Sequence, residues 1–525
     1  MVPGRGAIAA LVLSMIVVVG CSGSTDDESA PATTTEQLPP NQVAAVELPA
    51  DAVDKAVGRL DELAGSLMDS SRIPGMAVAV VHGGKTVYAK GFGVRAAGRD
   101  DKVDADTVFQ LASVSKSVAA TVVAHEVGAG TVEWETPVVS KLPSFALADP
   151  AITAQLTIGD LFAHRSGLPD HAGDRLEDLG YDRAAILEKL RLEPLDPFRI
   201  TYHYTNFGLT AGAEAVAAAA GVPWDRLSAE ALYEPLGMTS TSSRFDDFQA
   251  RPNRAVGHME VDGSWVAKEV RDPDAQSPAG GVSSSVNDMA RWLAMLLGNG
   301  TANGATIAPA EALLPAITPQ VISSPASAPQ SRAGNYGFGF NASVSSAGRT
   351  SYSHSGAFAL GAATTFLVIP SADVAIVALT NAAPIGLPEA LTAEFGDLVQ
   401  FGEIREDWRA IYRAALAPIN DPEGDLSEKS APPNPAPAKP LPDYVGTYAN
   451  EYWGPATISE AGGELVLTLG PAQRRYPLRH WDADTFAFDL FGENAPPGSV
   501  SSARFDGDRL VLNYFDEDGL GTFTR

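Results

Sequence analysis

A proline-rich stretch over residues 418–442 most constrains the fold, because it divides the chain into two unequal parts. It contains the run Pro432-Pro433-Asn434-Pro435-Ala436-Pro437 and has no apolar period, which predicts a stiff, extended linker. With the end of a helix before it, the linker region covers residues 406–442. We therefore predict a large domain over residues 49–405 and a small one over residues 443–525.

Residues 1–20 have the pattern of a secretory signal peptide. Arg5 is the only charge before an apolar stretch of about 13 residues, which is too short to span a bilayer. The run Val18-Val19-Gly20-Cys21 resembles the bacterial lipobox, in which the cysteine is lipidated and becomes the mature N-terminus. Residues 21–48 are rich in Ser, Thr, Pro and acidic residues, which is typical of a disordered tether. We expect a protein of the bacterial cell envelope, outside the cytoplasm and anchored to the membrane by lipid at Cys21.

The chain is strongly acidic, with 64 Asp and Glu against 37 Lys and Arg. Nucleic-acid binding needs a basic surface, so this composition argues against a nucleic-acid partner. It also argues against binding to anionic lipids through a polybasic patch. Cys21 is the only cysteine, so an intramolecular disulfide cannot form.

Strand patterns lie at both ends of the large domain, and helix patterns lie between them. The spacing predicts hairpins over residues 76–92 and 364–379 and helices over residues 51–68, 113–126, 207–220, 286–297 and 387–399. This order predicts an α/β (α+β) domain whose sheet joins the two ends and is covered by a helical insertion. After the linker, β-like runs at 456–458, 464–469, 485–491 and 509–515 predict a small all-β barrel or sandwich.

Ser113-Val114-Ser115-Lys116 is the only Ser-x-x-Lys pattern in the chain. On a helix, residues i and i+3 share one face, so the lysine amine comes within reach of the serine hydroxyl. If burial or a second cation lowers the pKa of Lys116, its amine can take the proton of Ser113 and create a nucleophile. A serine at a helix N-terminus also lies where the dipole favours a developing oxyanion.

Tyr204-Thr205-Asn206 supplies a second group of polar side chains. Alternate spacing lets Tyr204 and Asn206 point from a loop into one cleft. An ammonium such as that of Lys116 would favour the Tyr204 phenolate, which could then act as a general base. The other Tyr-x-Asn pattern, Tyr448-Ala449-Asn450, lies beyond the linker and is set aside on position.

His354-Ser355-Gly356 lies just before the second predicted hairpin. On an edge strand facing Ser113, its backbone would lie along the substrate, and Gly356 would permit close approach of the acyl group. The backbone N–H groups of Ser113 and Ala357 would then form an oxyanion hole.

In this order, the three motifs resemble those of the serine β-lactamase and penicillin-binding protein superfamily, over about residues 50–405. The second motif is similar to that of class C β-lactamases and their esterase and D-aminopeptidase relatives. The resemblance implies a β-lactamase-like mixed sheet flanked by helices, with an all-helical subdomain. It also implies acylation of a serine without any metal or organic cofactor. The residues it assigns are Ser113, Lys116 and Tyr204 for catalysis and Asn206, His354, Ser355 and Gly356 for substrate binding.

The third motif begins with His354, where β-lactamases and D-Ala-D-Ala enzymes typically have lysine. Imidazole is mostly neutral at pH 7 and attracts a substrate carboxylate less than an ammonium does. The resemblance therefore favours an esterase or D-amino-acid peptidase acting on a small ester, a peptide or a peptidoglycan-derived substrate. A β-lactamase or D-Ala-D-Ala carboxypeptidase is the alternative.

Other classes of protein fit the sequence less well. A Ser-His-Asp α/β-hydrolase would need Gly-x-Ser-x-Gly, which is absent, and His125-Glu126 lacks the second histidine of a zinc peptidase. A non-catalytic, surface-anchored binding protein would have no need of intact Ser113, Lys116 and Tyr204. In relatives, small β domains cover the active site or assemble subunits, so a homo-oligomer is one expected arrangement.

Overall fold

Strands from both ends of the large domain pair into one sheet, in agreement with the sequence pattern. The computed structural model describes residues 46–525, so the predicted signal peptide, Cys21 and most of the predicted tether lie outside the described residues. In chain order the strands before the linker are β1 Gly75–His82, β2 Lys85–Gly93, β3 Phe109–Gln110, β4 Met259–Val261, β5 Ser264–Val266, β6 Ser283–Ser284, β7 Thr301–Ala302, β8 Ala305–Thr306, β9 Val321–Ser324, β10 Gly334–Tyr336, β11 Asn341–Val344, β12 Thr350–Phe358, β13 Ala362–Ile369 and β14 Val374–Thr380. Eight of them form the main sheet in the order β2-β1-β14-β13-β12-β11-β10-β9. Every neighbouring pair is antiparallel, so the expected mixed sheet is wrong on this point.

Helices cover both faces of this sheet. In chain order they are α1 Ala52–Val57, α2 Leu60–Ser71, α3 Val114–Gly128, α4 Pro150–Gln155, α5 Ile158–Phe162, α6 Asp174–Asp178, α7 Arg183–Lys189, α8 Asn206–Ala220, α9 Trp224–Ser228, α10 Glu234–Leu236, α11 Phe245–Ala250, α12 Ser277–Gly280, α13 Val286–Leu297, α14 Ala310–Ile317, α15 Leu387–Phe401 and α16 Trp408–Leu416. Along β1, Ala77 and Ala79 belong to a core with α3 and α13, whereas Val78 and Val80 belong to a core with α1, α2 and α15. Because both faces of β1 are buried, the strand is apolar at nearly every position instead of alternating.

The helices predicted over residues 113–126, 207–220, 286–297 and 387–399 are present as α3, α8, α13 and α15. The N-terminal region differs, since the single helix predicted over residues 51–68 is two helices, α1 and α2, which meet at Gly58 and Arg59. The N–H of Gly58 bonds carbonyls of the preceding turn and ends α1. Glycine costs about 1 kcal/mol in a helix interior, so it is a natural point for the break.

The insertion between β2 and β9 is helical, as predicted, and carries α3 to α14. It also contains three two-stranded ladders, β3·β6, β4·β5 and β7·β8. Helices α3 and α8 are in contact and almost completely buried, which places Ser113 at the start of α3 near Asn206 at the start of α8. Among residues 46–525, no helix combines the length and the apolar character needed to cross a bilayer.

The chain after the linker forms a closed β-barrel. Its strands are β15 Gly446–Tyr448, β16 Ala456–Ala461, β17 Glu464–Leu469, β18 Arg474–Asp482, β19 Thr485–Asp489, β20 Val500–Asp506, β21 Arg509–Leu512 and β22 Thr522–Thr524. Each strand is antiparallel to the next, and a bridge between Ala449 and Thr524 joins the two ends of the sheet. The structure therefore selects the barrel from the two predicted architectures. The sequence pattern missed β15, β18, β20 and β22; β18 is mostly exposed and lacks a clear apolar alternation.

The proline-rich segment lies on the barrel instead of spacing two separate bodies. Leu426 is buried, and its N–H donates to the carbonyl of Val500 on β20. The carboxylate of Asp425 accepts the N–H of Ser502 at 2.9 Å. These contacts hold the segment in place although it contains no regular strand between residues 421 and 440.

Candidate active site

Ser113 lies at the point where the chain turns into α3. It is the partly exposed residue at an otherwise buried helix start, and its side chain makes no capping bond to the helix backbone. The preceding residue, Ala112, is fully buried and has a φ of 47°, a conformation that L-residues seldom adopt. Such strain persists only where the surrounding structure enforces it, and here it lies directly before the candidate nucleophile.

Lys116 is completely buried one turn further along α3. Its Nζ lies 3.1 Å from Ser113 Oγ, 2.6 Å from Asn206 Oδ1 and 3.0 Å from the carbonyl of Ala279. Burial lowers the pKa of Lys116 to about 7, against an opposing effect of the Asp174 carboxylate. A neutral amine has two N–H groups for Asn206 and Ala279, which leaves its lone pair for the Ser113 proton. This geometry is that of a general base.

Tyr204 lies against the same lysine, with Lys116 Nζ 4.5 Å from the centre of the phenol ring. Burial raises the pKa of Tyr204 well above its ordinary value, although a hydrogen bond with Ser113 acts in the opposite direction. The sequence predicts that the lysine favours a phenolate, whereas burial acts in the opposite direction and favours the phenol. Tyr204 is therefore a phenol in the resting site and a proton donor to its surroundings.

Asn206 connects Lys116 to the buried carboxylate of Asp174, which the sequence motifs did not predict. Its Oδ1 faces Lys116, while its Nδ2 donates to Asp174 Oδ2 at 2.7 Å. The same carboxylate oxygen lies 2.8 Å from Nδ1 of His171. Burial opposes protonation of His171, but Asp174 outweighs it and raises the pKa of the imidazole. Asp174 thus fixes the orientation of the Asn206 amide and keeps the amide oxygen towards the lysine.

The His-Ser-Gly motif lies on β12 beside the start of α3, but the side chain of His354 is not among those that line the cavity. Its Nδ1 is 2.6 Å from the carbonyl of Ser355, so this nitrogen carries the proton and Nε2 accepts from the Tyr336 hydroxyl at 2.8 Å. Burial and the nearby Lys116 lower the pKa of His354 to about 3, so the ring is neutral at pH 7. It lies behind Tyr204, whereas the next residue, Ser355, lines the cavity.

Gly356 allows β12 to approach the chain before α3, where a Cβ atom would lie 2.2 Å from the carbonyl oxygen of Leu111. A Cβ atom at this position would lie 2.9 Å from the backbone nitrogen of Ser113, so β12 passes directly against the start of α3. Strand β11 pairs only with residues 350–353 of β12, which leaves residues 354–358 as an edge on that side. Ala357 lies on this edge and lines the cavity with Ser113. Their two N–H groups are the candidates for an oxyanion hole.

A cavity of about 540 Å³ opens over these groups. The predicted residues on its wall are Ser113, Tyr204, Asn206, Ser355 and Ala357. Its barrel-side wall includes Tyr452, Trp453, Glu493, Asn494 and Phe515. The barrel therefore forms one side of the candidate active site, in line with one of the two roles that the family resemblance implies for such a domain.

The loop between β19 and β20 attaches the barrel to this site. The carboxylate of Glu493 accepts the N–H of Ala359 at 2.8 Å and that of Leu360 at 3.3 Å, directly after β12. Burial raises the pKa of Glu493 to about 7, against the nearby Arg271. Asn494 donates to the carboxylate of Asp178 at 2.9 Å. The loop has no motif that would have identified these contacts from sequence.

The site combines a serine at a strained helix start with a buried lysine in contact with its hydroxyl, next to an antiparallel sheet. These features define a serine hydrolase. Residues 60–399 match the family model described as Beta-lactamase, and the chain belongs to that family. A second model, described as a domain of unknown function (DUF3471), matches residues 430–507, which cover the end of the linker and most of the barrel.

Relatives in this family carry hydrolase names. The unguisins hydrolase of Aspergillus violaceofuscus is 26% identical over 444 residues, which cover 77% of this chain and 76% of that protein. The esterase EstB of Burkholderia gladioli is 26% identical over 65% of this chain and 94% of the esterase. The octameric penicillin-binding protein homologue from Pyrococcus abyssi aligns over 89% of this chain and 100% of its own, with a TM-score of 0.59 and 19% identity. This last likeness shows a shared fold.

Proposed function

We propose that this serine hydrolase is an esterase or D-amino-acid peptidase that acts through an acyl-enzyme on Ser113 at the cell envelope. The contact between Lys116 Nζ and Ser113 Oγ at 3.1 Å carries this proposal. Because the pKa of the lysine is lowered to about 7, much of the amine is unprotonated at neutral pH and able to accept the serine proton.

Acylation begins when the Lys116 amine takes the hydroxyl proton and Ser113 Oγ bonds to the acyl carbon. The carbonyl electron pair becomes an oxyanion beside the N–H groups of Ser113 and Ala357. When this intermediate collapses, the bond to the leaving alkoxide or amine breaks, and the leaving group takes the phenol proton of Tyr204. The ammonium of Lys116 then returns a proton to Tyr204, so both side chains end in their starting states.

Deacylation repeats these steps with water as the nucleophile. The Lys116 amine accepts one proton from a water molecule, whose oxygen bonds to the acyl carbon. Collapse releases the carboxylic acid, and Ser113 Oγ recovers its proton. One ester or amide and one water thus give one acid and one alcohol or amine, and no cofactor is consumed.

The substrate class follows from the third motif. His354 is neutral and buried behind Tyr204, so it supplies no positive charge for the carboxylate of a penam or of a terminal D-alanine. The naming of a relative as an esterase also supports ester cleavage. We expect short-chain esters and amides of D-amino acids to be better substrates than β-lactams.

The test compares p-nitrophenyl esters, D-alanyl peptides and nitrocefin on one preparation, with Ser113→Ala as the control. We expect ester cleavage to exceed nitrocefin cleavage, and Ser113→Ala to abolish both the activity and labelling by a fluorophosphonate. Faster cleavage of nitrocefin would favour a β-lactamase. A native protein that forms no adduct and hydrolyses nothing would instead be a binding protein.

Membrane attachment through a lipid on Cys21 is the second part of the proposal, and this residue lies outside the described range. Support comes from the lipobox-like run before the cysteine. The substitution Cys21→Ala should move the protein from the membrane fraction to the soluble fraction. Its retention in the membrane fraction would refute lipidation.

We also propose that copies of this protein associate, as in the octameric relative. Light scattering of the protein without its first 45 residues measures this association.

A further inference from the structure

A second buried carboxylate faces the cavity that contains Ser113. Glu389, in the first turn of α15, is only 6% exposed and belongs to the cavity wall. Its Oε2 has no hydrogen-bond partner among residues 46–525. A buried polar atom without a partner costs free energy unless a ligand supplies the missing contact. The reaction described above makes no use of Glu389.

Glu389 and Ser355 of the third motif line the same cavity. Burial raises the pKa of Glu389 to about 7, whereas the Ser355 side chain, whose hydroxyl donates to Thr365 Oγ1 at 3.2 Å, favours the ionised form. Burial raises the pKa of Tyr412 on α16, and the charge of Glu389 adds to this rise. No lysine, arginine or histidine within the described part of the chain forms a salt bridge with Glu389. The cavity wall that contains the Ser355 hydroxyl therefore also contains a carboxyl group that is not paired with a cation.

The other charged side chains on the cavity wall are also mainly acidic. Seven acidic side chains line it besides Glu389, against two arginines and His171. Both arginines are already paired: Arg175 lies 2.6 Å from Glu517, and Arg271 is buried against Glu177. A cleft lined mainly by one sign of charge concentrates ligands of the opposite sign and repels ligands of the same sign.

We propose that Glu389 forms a subsite for a positively charged group of the substrate, an ammonium carried close to the acyl bond that Ser113 attacks. The ammonium would donate to the free Oε2 and neutralise the carboxylate, while a substrate carboxylate would be repelled. The substrate class is thus the esters and amides of amino acids with a free amino group, or the esters of amino alcohols. This inference rests on the proposed function and specifies its substrate.

A structural role for Glu389 makes a different prediction. A carboxylate in the first turn of a helix is stabilised by the helix dipole, and that effect is independent of the substrate. A structural residue would therefore change stability, or change all substrates equally. A subsite residue would change only the ratio between charged and neutral substrates.

The experiment uses two substrate pairs that differ in charge and have nearly the same shape. D-alanine p-nitrophenyl ester and p-nitrophenyl propionate differ by an ammonium on the acyl side. Acetylthiocholine and S-(3,3-dimethylbutyl) thioacetate differ by a cation on the leaving-group side. We measure kcat/KM for all four with the wild-type protein, Glu389→Gln and the control Asp170→Asn. Asp170 also lines the cavity, but its carboxylate is exposed to solvent.

In Glu389→Gln we expect kcat/KM for the charged member of one pair to fall by about 10-fold or more, because a charge-assisted contact is lost. Its neutral partner should change by less than about twofold, and the pair that responds shows which side carries the cation. Asp170→Asn should leave both ratios nearly unchanged, since solvent screens its charge. Unchanged ratios in Glu389→Gln, or an equal fall in Asp170→Asn, would overturn the subsite.

Inhibition of the wild-type protein tests the proposed cation subsite without a variant. Choline should inhibit at concentrations at least about 10-fold lower than 3,3-dimethylbutanol, or D-alaninamide at lower concentrations than propionamide. Equal inhibition within both pairs would overturn the subsite even if Glu389→Gln fails to fold. If the wild-type protein cleaves none of the four substrates, the proposed function fails; if it cleaves them without preference for charge, only this inference fails.

Discussion

The buried carboxylate of Asp174 controls two properties of Lys116, and two substitutions separate them. Its Oδ2 accepts the Asn206 amide at 2.7 Å, and its charge raises the pKa of Lys116 against the effect of burial. Asp174→Asn removes the charge but keeps an oxygen that can accept from Asn206. Asp174→Ala removes both the charge and the acceptor.

The size of the charge effect follows from the geometry. One amide links the two groups through contacts of 2.6 and 2.7 Å. Charges about 6 Å apart at an effective dielectric constant of about 20 interact by roughly 2–3 kcal/mol. Solvent that reaches the half-exposed His171 side chain weakens this interaction. We therefore expect the midpoint of the acid limb of kcat/KM to fall by about one pH unit in Asp174→Asn. The direction is downward because removal of the negative charge destabilises the ammonium, so the neutral amine persists to lower pH.

Asp174→Ala should have a different effect. It leaves the Asn206 amide nitrogen without its acceptor, at a cost of about 1–3 kcal/mol, which corresponds to a roughly 10- to 100-fold lower plateau of kcat/KM. The assay is p-nitrophenyl acetate hydrolysis from pH 5 to 9, followed at a wavelength where nitrophenol absorbance does not depend on pH. Thermal melts of each variant serve as the control for folding. An acid limb that stays in place or moves to higher pH in Asp174→Asn would refute its assignment to Lys116.

Two further substitutions test the geometry around the nucleophile. Gly356→Ala places a Cβ 2.2 Å from the Leu111 carbonyl oxygen and 2.9 Å from the Ser113 nitrogen. We therefore expect kcat/KM for p-nitrophenyl acetate to fall by about 100-fold, with about 1–3 kcal/mol lost in the free energy of unfolding. Gly65→Ala is the matched control, because a Cβ at this position of α2 would have no neighbouring atom within 4 Å; it should raise stability by about 0.5–1 kcal/mol and leave activity unchanged. Tyr204→Phe should lower kcat by about 100-fold through loss of the proton donor, while the acid limb that reports Lys116 keeps its midpoint within about 0.3 pH units. Equal activity of Gly356→Ala and wild type, or loss of the acid limb in Tyr204→Phe, would contradict these roles.

Part of the site could be predicted from sequence because it is local. Ser113 and Lys116 are three residues apart at the start of one helix, so helix geometry alone brings the amine to the hydroxyl. The hairpins and α13 could also be predicted from sequence, because the apolar spacing of neighbouring residues marks where α13 begins and ends. The contact between Asn206 and Lys116 joins distant parts of the chain, so only the order of the motifs indicated it.

The third motif shows where local reasoning fails. Successive side chains of a strand point to opposite faces, so one of His354 and Ser355 had to face away from the substrate. Pairing of β12 with β13 decides which one does, and the sequence pattern does not reveal that choice. The result is that Ser355 lines the cavity, while the imidazole of His354 lies behind Tyr204.

The sequence by itself determined the type of reaction, the order of the secondary structure in the large domain and the all-β character of the small one. Periodicity and spacing are properties of neighbouring residues, and a few turns of chain are enough to express them. Only the tertiary structure decided the protonation states of Lys116 and Tyr204 and the presence of Asp174, Glu389 and Glu493 at the site. A pKa depends on burial and on charges from distant segments of the chain. These carboxylates reach the cleft only when the helical insertion, α15 and the barrel pack together.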